Sequence, residues 1–283
     1  MNFKDCIDSY PFILMEGALG ERLKREFDLD ISGTVAMADL IYQQKGRMAL
    51  KTLWNEYMDI AHRYQLPFLA TTPTRRANKE RVYMAGYNES IITDNVDFLR
   101  TIKETANVNM YIGGLMGCKG DAYTSERALN QEEAIAFHSW QASLFKSVGV
   151  DFLYAGIMPV LSEAIGMAVA MSDTDIPYII SFTIQRNGKL IDGHTINDAI
   201  YYIDNHVSNK PVCYMTNCVH PDIVYEALSH KFNQTQMVKN RFWGIQANTS
   251  RLSYKELDGA KNLRTSSAVS YTHLRAHETR SNL

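Results

Sequence analysis

Apolar positions along this chain gather into short, nearly unbroken runs, each closing on small or polar residues. Seven such runs occur, at 12–15, 68–70, 110–112, 151–155, 177–183, 210–218 and 242–248. Runs of this length without polar alternation fit strands buried on both faces. Most are separated by helical patterns. Leu50, Leu53, Trp54, Tyr57, Ile60, Ala61 and Tyr64 recur at the spacing of one apolar helix face, which Leu66-Pro67 then ends. Helical sequence runs from about Asn78 to Thr105, and Asn130 with Glu133 forms a capping-box start for a helix to Val148-Gly149. Another helix begins near Ser162 and runs to about Met171, and Pro221 suits the first position of one more. Strands alternating with helices predict parallel βα units. The expected fold is a (β/α)8 TIM barrel with the eighth strand unaccounted for. A doubly wound sheet fits less well, because no dinucleotide-binding fingerprint follows any strand.

Composition narrows the class without naming a chemistry. The chain has 283 residues, 46% hydrophobic and 21% charged, with a net charge of −2. The length suits one barrel or two small domains. Near-neutral charge without a basic run excludes nucleic acid as the expected partner. No apolar run approaches a membrane span, and the N-terminus lacks a signal-peptide pattern. Cys6, Cys118, Cys213 and Cys218 show neither CxxC nor disulfide-scaffold spacing, so the expected location is a reducing cytoplasm.

The candidate chemistry sits at the C-terminal tips of the strand runs, where a barrel builds its site. Glu16-Gly17 closes the first run, and Glu16 reads equally as a solvated loop carboxylate. Gly113, Gly114, Gly117 and Gly120 follow the third, where backbone must approach either another strand or a ligand. Their spacing fits neither phosphate-loop pattern. Glu163 lies in the first turn of a helix, a place that the helix dipole alone would favour. Asn217-Cys218 ends the sixth run, and Cys218 reads as a metal ligand, a nucleophile or a small buried hydrophobe. Strand parity separates Cys218 from Cys213 onto opposite faces.

Taken together, these tips resemble the homocysteine S-methyltransferase family. Met15-Glu16-Gly17-Ala18-Leu19-Gly20 is similar to its opening Asp-Gly-Gly-x-Gly-type motif, and Met158-Pro159 through Glu163-Ala164 to its Ile-Pro-x-x-x-Glu-Ala motif. Ile180-Ser181-Phe182-Thr183 with Gly188 and Asp192-Gly193 resembles its fifth-strand signature. Thr216-Asn217-Cys218 is similar to its zinc-ligand segment, and 244–248 to the strand that follows. The likeness covers roughly 10–265. It implies a zinc-dependent barrel that moves a methyl group onto the thiol of homocysteine, giving methionine. The implied substrate contacts are Glu16, Gly17, Glu163, Ser181 and Asn217, with Glu163 on the ammonium, and Cys218 is the first of three zinc cysteines. The donors implied are S-methylmethionine, S-adenosylmethionine, betaine or methylfolate, and the lack of an appended domain favours a small sulfonium.

Two departures stand out. The family carries Asp where this chain has Glu16, and its other two zinc ligands are an adjacent cysteine pair at the eighth strand, which this sequence lacks. From about Ser266 the sequence has neither helix nor strand periodicity and resembles translated sequencing adapter. Residues 1–265 are therefore expected to be an incomplete homocysteine-binding barrel domain and 266–283 a disordered, non-native tail, leaving the chain as written inactive. The alternative readings are a non-catalytic barrel fragment, or a lyase or hydrolase of the same fold with Cys218 merely buried. His273 and His277 have the spacing of a helical ligand pair but fall within that tail.

Overall fold

The computed structural model describes residues 1–252 and 256. In chain order the elements are α1 (Phe3–Ser9), β1 (Leu14–Met15), α2 (Leu19–Glu26), a 3-10 turn (Ala38–Tyr42), α3 (Gln44–Arg63), β2 (Phe68–Thr71), α4 (Lys79–Met84), α5 (Ser90–Lys103), β3 (Met110–Gly117), α6 (Gln131–Val148), β4 (Phe152–Met158), α7 (Leu161–Ser172), β5 (Tyr178–Phe182), α8 (Ile196–His206), β6 (Cys213–Val219), α9 (Pro221–Ser229), α10 (Gln236–Arg241) and β7 (Phe242–Ala247). The strands form one sheet in the order β1-β2-β3-β4-β5-β6-β7. β1 with β2, β2 with β3, β5 with β6 and β6 with β7 pair in parallel. Neighbouring parallel strands joined through helices make the (β/α) barrel fold class. No eighth strand occurs among the described residues, and the expected boundary at 265 and the tail 266–283 lie outside them.

The chain divides into two compact units. Met1–Gly117, Ile135–Tyr154 and Ala170–Tyr178 form the first; Cys118–Ala134, Ala155–Val169 and the described residues from Ile179 onward form the second. In the first, α3 buries Leu50, Leu53 and Trp54, and Phe3 stacks on Phe152 at 4.6 Å between ring centres. In the second, Phe182 stacks on Tyr214 at 5.5 Å, and Tyr214 donates its hydroxyl to Asp204 of α8.

Several sequence expectations need correcting. Ile60 and Tyr64 are exposed rather than core, because Ile60 sits at the margin of the apolar stripe and Tyr64 follows the last turn of α3. The helix expected from Asn78 to Thr105 is two helices. Gly86, at φ +78°, donates to Tyr83 O while Tyr87 donates to Val82 O, a Schellman stop that ends α4. The run ending at Ile112 continues as strand through Gly117, since the glycines meet packed neighbours: a Cβ at Gly114 would lie 2.6 Å from the Phe145 ring. At Gly113 and Gly114 the close approach is to packed rings, and at Gly120 to the Glu126 backbone. Asn130 and Glu133 do exchange both capping-box bonds, at 3.0 and 3.2 Å.

Candidate active site

β1 ends at Glu16, whose backbone N–H donates to Leu69 O at 3.3 Å. Its carboxylate is 4% exposed, and one oxygen accepts both the N–H (2.7 Å) and the hydroxyl (2.6 Å) of Thr71. Burial outweighs these bonds and pushes the Glu16 carboxyl up to about 7. Gly17 accepts the Tyr57 hydroxyl on its carbonyl, and a Cβ there would meet nothing within 4 Å. Packing does not demand that glycine. Ala18 then takes a left-handed conformation, φ 54°, to start α2.

Glu163, in the second unit, lies in the first turn of α7 and is 0% exposed. Its oxygens accept the backbone N–H of Lys119 (2.7 Å) and of Leu129 (3.3 Å). Each carboxylate oxygen carries two lone pairs and can accept more than one donor. The turn before α7 is held from the segment after β5. Thr183 N–H donates to Met158 O, Ile191 N–H donates to Pro159 O, and Asp192 accepts the Leu161 N–H at 2.6 Å. Ile157 sits at φ +66°, a strained conformation for a β-branched residue. Asp192 was legible only as part of a motif; its work is to cap α7.

On β5, Ser181 is 0% exposed and its hydroxyl has no hydrogen-bond partner. At the end of β6, Asn217 (5% exposed) donates its side-chain amide to Gln246 of β7, a partner that the sequence did not single out. Cys218 follows at φ +55°. The register jumps there, from Asn217 opposite Gln246 to Val219 opposite Ala247, so Cys218 is the extra residue of a bulge. Tyr214 faces the helices, so alternation groups Cys213 with Met215 and Asn217 on the other face. Simple parity would leave Cys218 on the helix side; the bulge releases it from that rule. Cys218 is half-buried, whereas Cys213 is buried and its thiol is pushed up to about 12 by burial. His220 caps α9 by accepting the Asp222 N–H on Nδ1 at 3.2 Å. Its Nε2 is buried without a hydrogen-bond partner, and burial lowers its pKa.

The sequence pattern of the homocysteine S-methyltransferase family matches residues 13–273. The chain belongs to this family. It is a methyltransferase by family, with homocysteine as the family's methyl acceptor. Homocysteine S-methyltransferase YbgG of Bacillus subtilis (strain 168) is 21% identical over 217 residues, which are 71% of this chain and 67% of that protein. The crystal structure of the homocysteine methyltransferase MmuM from Escherichia coli in its metallated form superposes with a TM-score of 0.69 at 17% identity, covering 88% of this chain and 96% of that one. The apo form gives 0.61 at 17% identity, covering 87% and 94%. Likeness at this identity shows the shared fold.

The zinc implied by the resemblance can be tested against the donors present. A site that binds a substrate thiol needs three protein ligands and an open fourth position. Among the described residues no three His, Cys, Asp or Glu side chains converge to hold a metal. Cys6 is buried in α1, Cys213 lies at the buried start of β6, and Cys118 directs its thiol to Gly120 O at 3.6 Å. These donors do not fit a three-cysteine zinc site around Cys218.

Proposed function

We propose that the chain binds homocysteine through Glu163 as the acceptor of the family's methyl transfer, in which a small sulfonium donor methylates its sulfur and gives methionine. The observation that carries this reading is Glu163 itself, a fully buried carboxylate in the first turn of α7 whose oxygens accept the N–H groups of Lys119 and Leu129. A primary ammonium offers the charge and the N–H donors that suit a buried carboxylate, and charge-assisted bonds are the strong ones. Ser181, whose buried hydroxyl is unsatisfied, and Asn217, oriented by Gln246, are assigned as further substrate contacts. Glu16 and Gly17 are proposed as substrate contacts on the sequence motif alone. In the transfer the donor's carbon–sulfur bond breaks, a new one forms to the homocysteine sulfur, and the thiol proton leaves to solvent. Holding the acceptor in one orientation is what these residues contribute. Among the described residues the donors do not fit a three-cysteine zinc site, so Cys218 is assigned only as the strand-tip thiol of the family pattern. The four cysteines are joined by no disulfide, which suits a reducing cytoplasm. No helix among the described residues is long and apolar enough to cross a membrane.

Calorimetric titration of the full chain tests the reading. Homocysteine should bind about tenfold or more tightly than 4-mercaptobutyrate, which lacks only the amine. Equal affinities would overturn it.

A further inference from the structure

We propose that Arg75 is a binding residue for a ligand carboxylate, offered from the tip of β2 by a turn riveted to β3. The proposal deepens the reading above and rests on its amino-acid ligands. Two threonines with no exposed surface build the turn. Thr74 donates its hydroxyl to Leu115 O at 2.8 Å, so in its 2.7 Å bond with Thr72 it is the acceptor. The Thr72 hydroxyl in turn accepts the Leu115 N–H at 3.1 Å, which closes the relay on one residue of β3. The carbonyl of Thr74 accepts the Gln141 amide at 3.1 Å and the Ala77 N–H at 2.8 Å. The second of these bonds closes a turn with Arg75 and Arg76 at its centre. The point where Arg75 leaves the backbone is thereby fixed.

Its stem is placed as well. A Cβ at Gly117, the last residue of β3, would fall 2.5 Å from Arg75 Cγ and 2.9 Å from Arg75 O, so the bare glycine lets the stem lie across the strand end. Arg75 is partly buried. A guanidinium in that setting calls for acceptors, because it carries five N–H donors and a permanent charge. The other partly buried arginines of the first unit have them. Arg22 donates to Glu26 and Glu56, Arg81 to Thr34 O, and Arg100 to Asp97 and Gly149 O. Among the described residues the Arg75 guanidinium meets no carboxylate, carbonyl or ring. Its planar fork matches a carboxylate through two parallel bonds, and strand tips are where a barrel binds its ligands. Homocysteine and a sulfonium amino acid both carry that group.

Calorimetric titrations of the full chain and of Arg75→Gln test this, and the substitution breaks no side-chain bond among the described residues. Homocysteine is compared with 3-mercaptopropylamine, which lacks only the carboxylate. S-methylmethionine is compared with its decarboxylated form, (3-aminopropyl)dimethylsulfonium. Arg75→Gln should weaken at least one carboxylate-bearing ligand by about tenfold to a hundredfold, and its decarboxylated counterpart by less than about twofold. The pair that shows the loss tells whether acceptor or donor supplies the carboxylate. Losses equal within both pairs, or absent from both, would overturn the proposal, as would failure of both carboxylate ligands to bind the unsubstituted chain. 4-Mercaptobutyrate, with the carboxylate and no amine, separates this proposal from the one it rests on. If it binds as tightly as homocysteine and a carboxylate-dependent loss is still seen in Arg75→Gln, the amine reading of Glu163 fails and Arg75 stands. If homocysteine binds more tightly and no such loss is seen, Arg75 alone fails.

Discussion

The two ends of β6 carry one cysteine each, and they obey different rules. Cys213 starts the strand in regular register opposite Ile179, fully packed, with its thiol held neutral by burial. Cys218 ends it in a bulge, left-handed and half-buried. The same contrast recurs between strand bodies and strand tips elsewhere. Bodies are apolar and closely packed, as Gly114 against Phe145 and Gly244 against Met215 show. Tips carry the positive-φ residues Ala18, Ile157 and Cys218 and the buried carboxylates Glu16 and Glu163. Strained backbone of this kind costs about 1–3 kcal/mol per residue. Bodies therefore supply the stability that tips give up, and the tips are where a barrel binds its substrate.

The largest effect expected from this contrast is chemical. A thiol reagent attacks the thiolate, and a thiol pushed up to about 12 holds roughly a thousandfold less thiolate at pH 8 than an ordinary one. Mass-resolved labelling of the native chain should modify Cys218 at least a hundredfold faster than Cys213. Comparable rates would break the contrast within β6.

A second effect concerns Glu16. Its folded-state carboxyl lies near 7 against an ordinary 4.5, so between those values the folded chain holds a proton that the unfolded chain has lost. Stability is therefore greatest below about pH 4.5 on this account and falls as pH rises toward 7, by on the order of 3 kcal/mol for this group alone. Glu16→Gln should remove that fall and leave the chain more stable than its parent at pH 8. Denaturant titrations at several pH values give the comparison, and parallel pH dependences would mean that this tip carries no such cost.

Much of the fold was legible because strand bodies follow one local rule. Seven apolar runs correspond to seven strands, and Asn130, Gly149 and Pro221 mark the helix ends expected of them. The tips were legible as places but not as geometry. Alternation alone could not foretell the bulge that turns Cys218, because it depends on register with β7. Nor could spacing show that Glu163 accepts from Lys119 and Leu129, since those partners lie far away in sequence. Glycines 113 and 114 misled by composition: in a strand packed against large rings, an absent side chain signals contact rather than a loop. The short helices α8 and α10 went unread because their apolar faces are brief and interrupted by exposed tyrosines or charges.

The central claim is that Glu163 recognises the amine of homocysteine, and a binding cycle tests it most directly. Homocysteine and 4-mercaptobutyrate are titrated into the unsubstituted chain and into Glu163→Gln, with folding of both checked by circular dichroism. The account predicts that the substitution weakens homocysteine by about tenfold to a hundredfold while changing 4-mercaptobutyrate by less than about twofold, a coupling of about 1–3 kcal/mol between carboxylate and ammonium. Equal losses for the two ligands, or none for either, would contradict it.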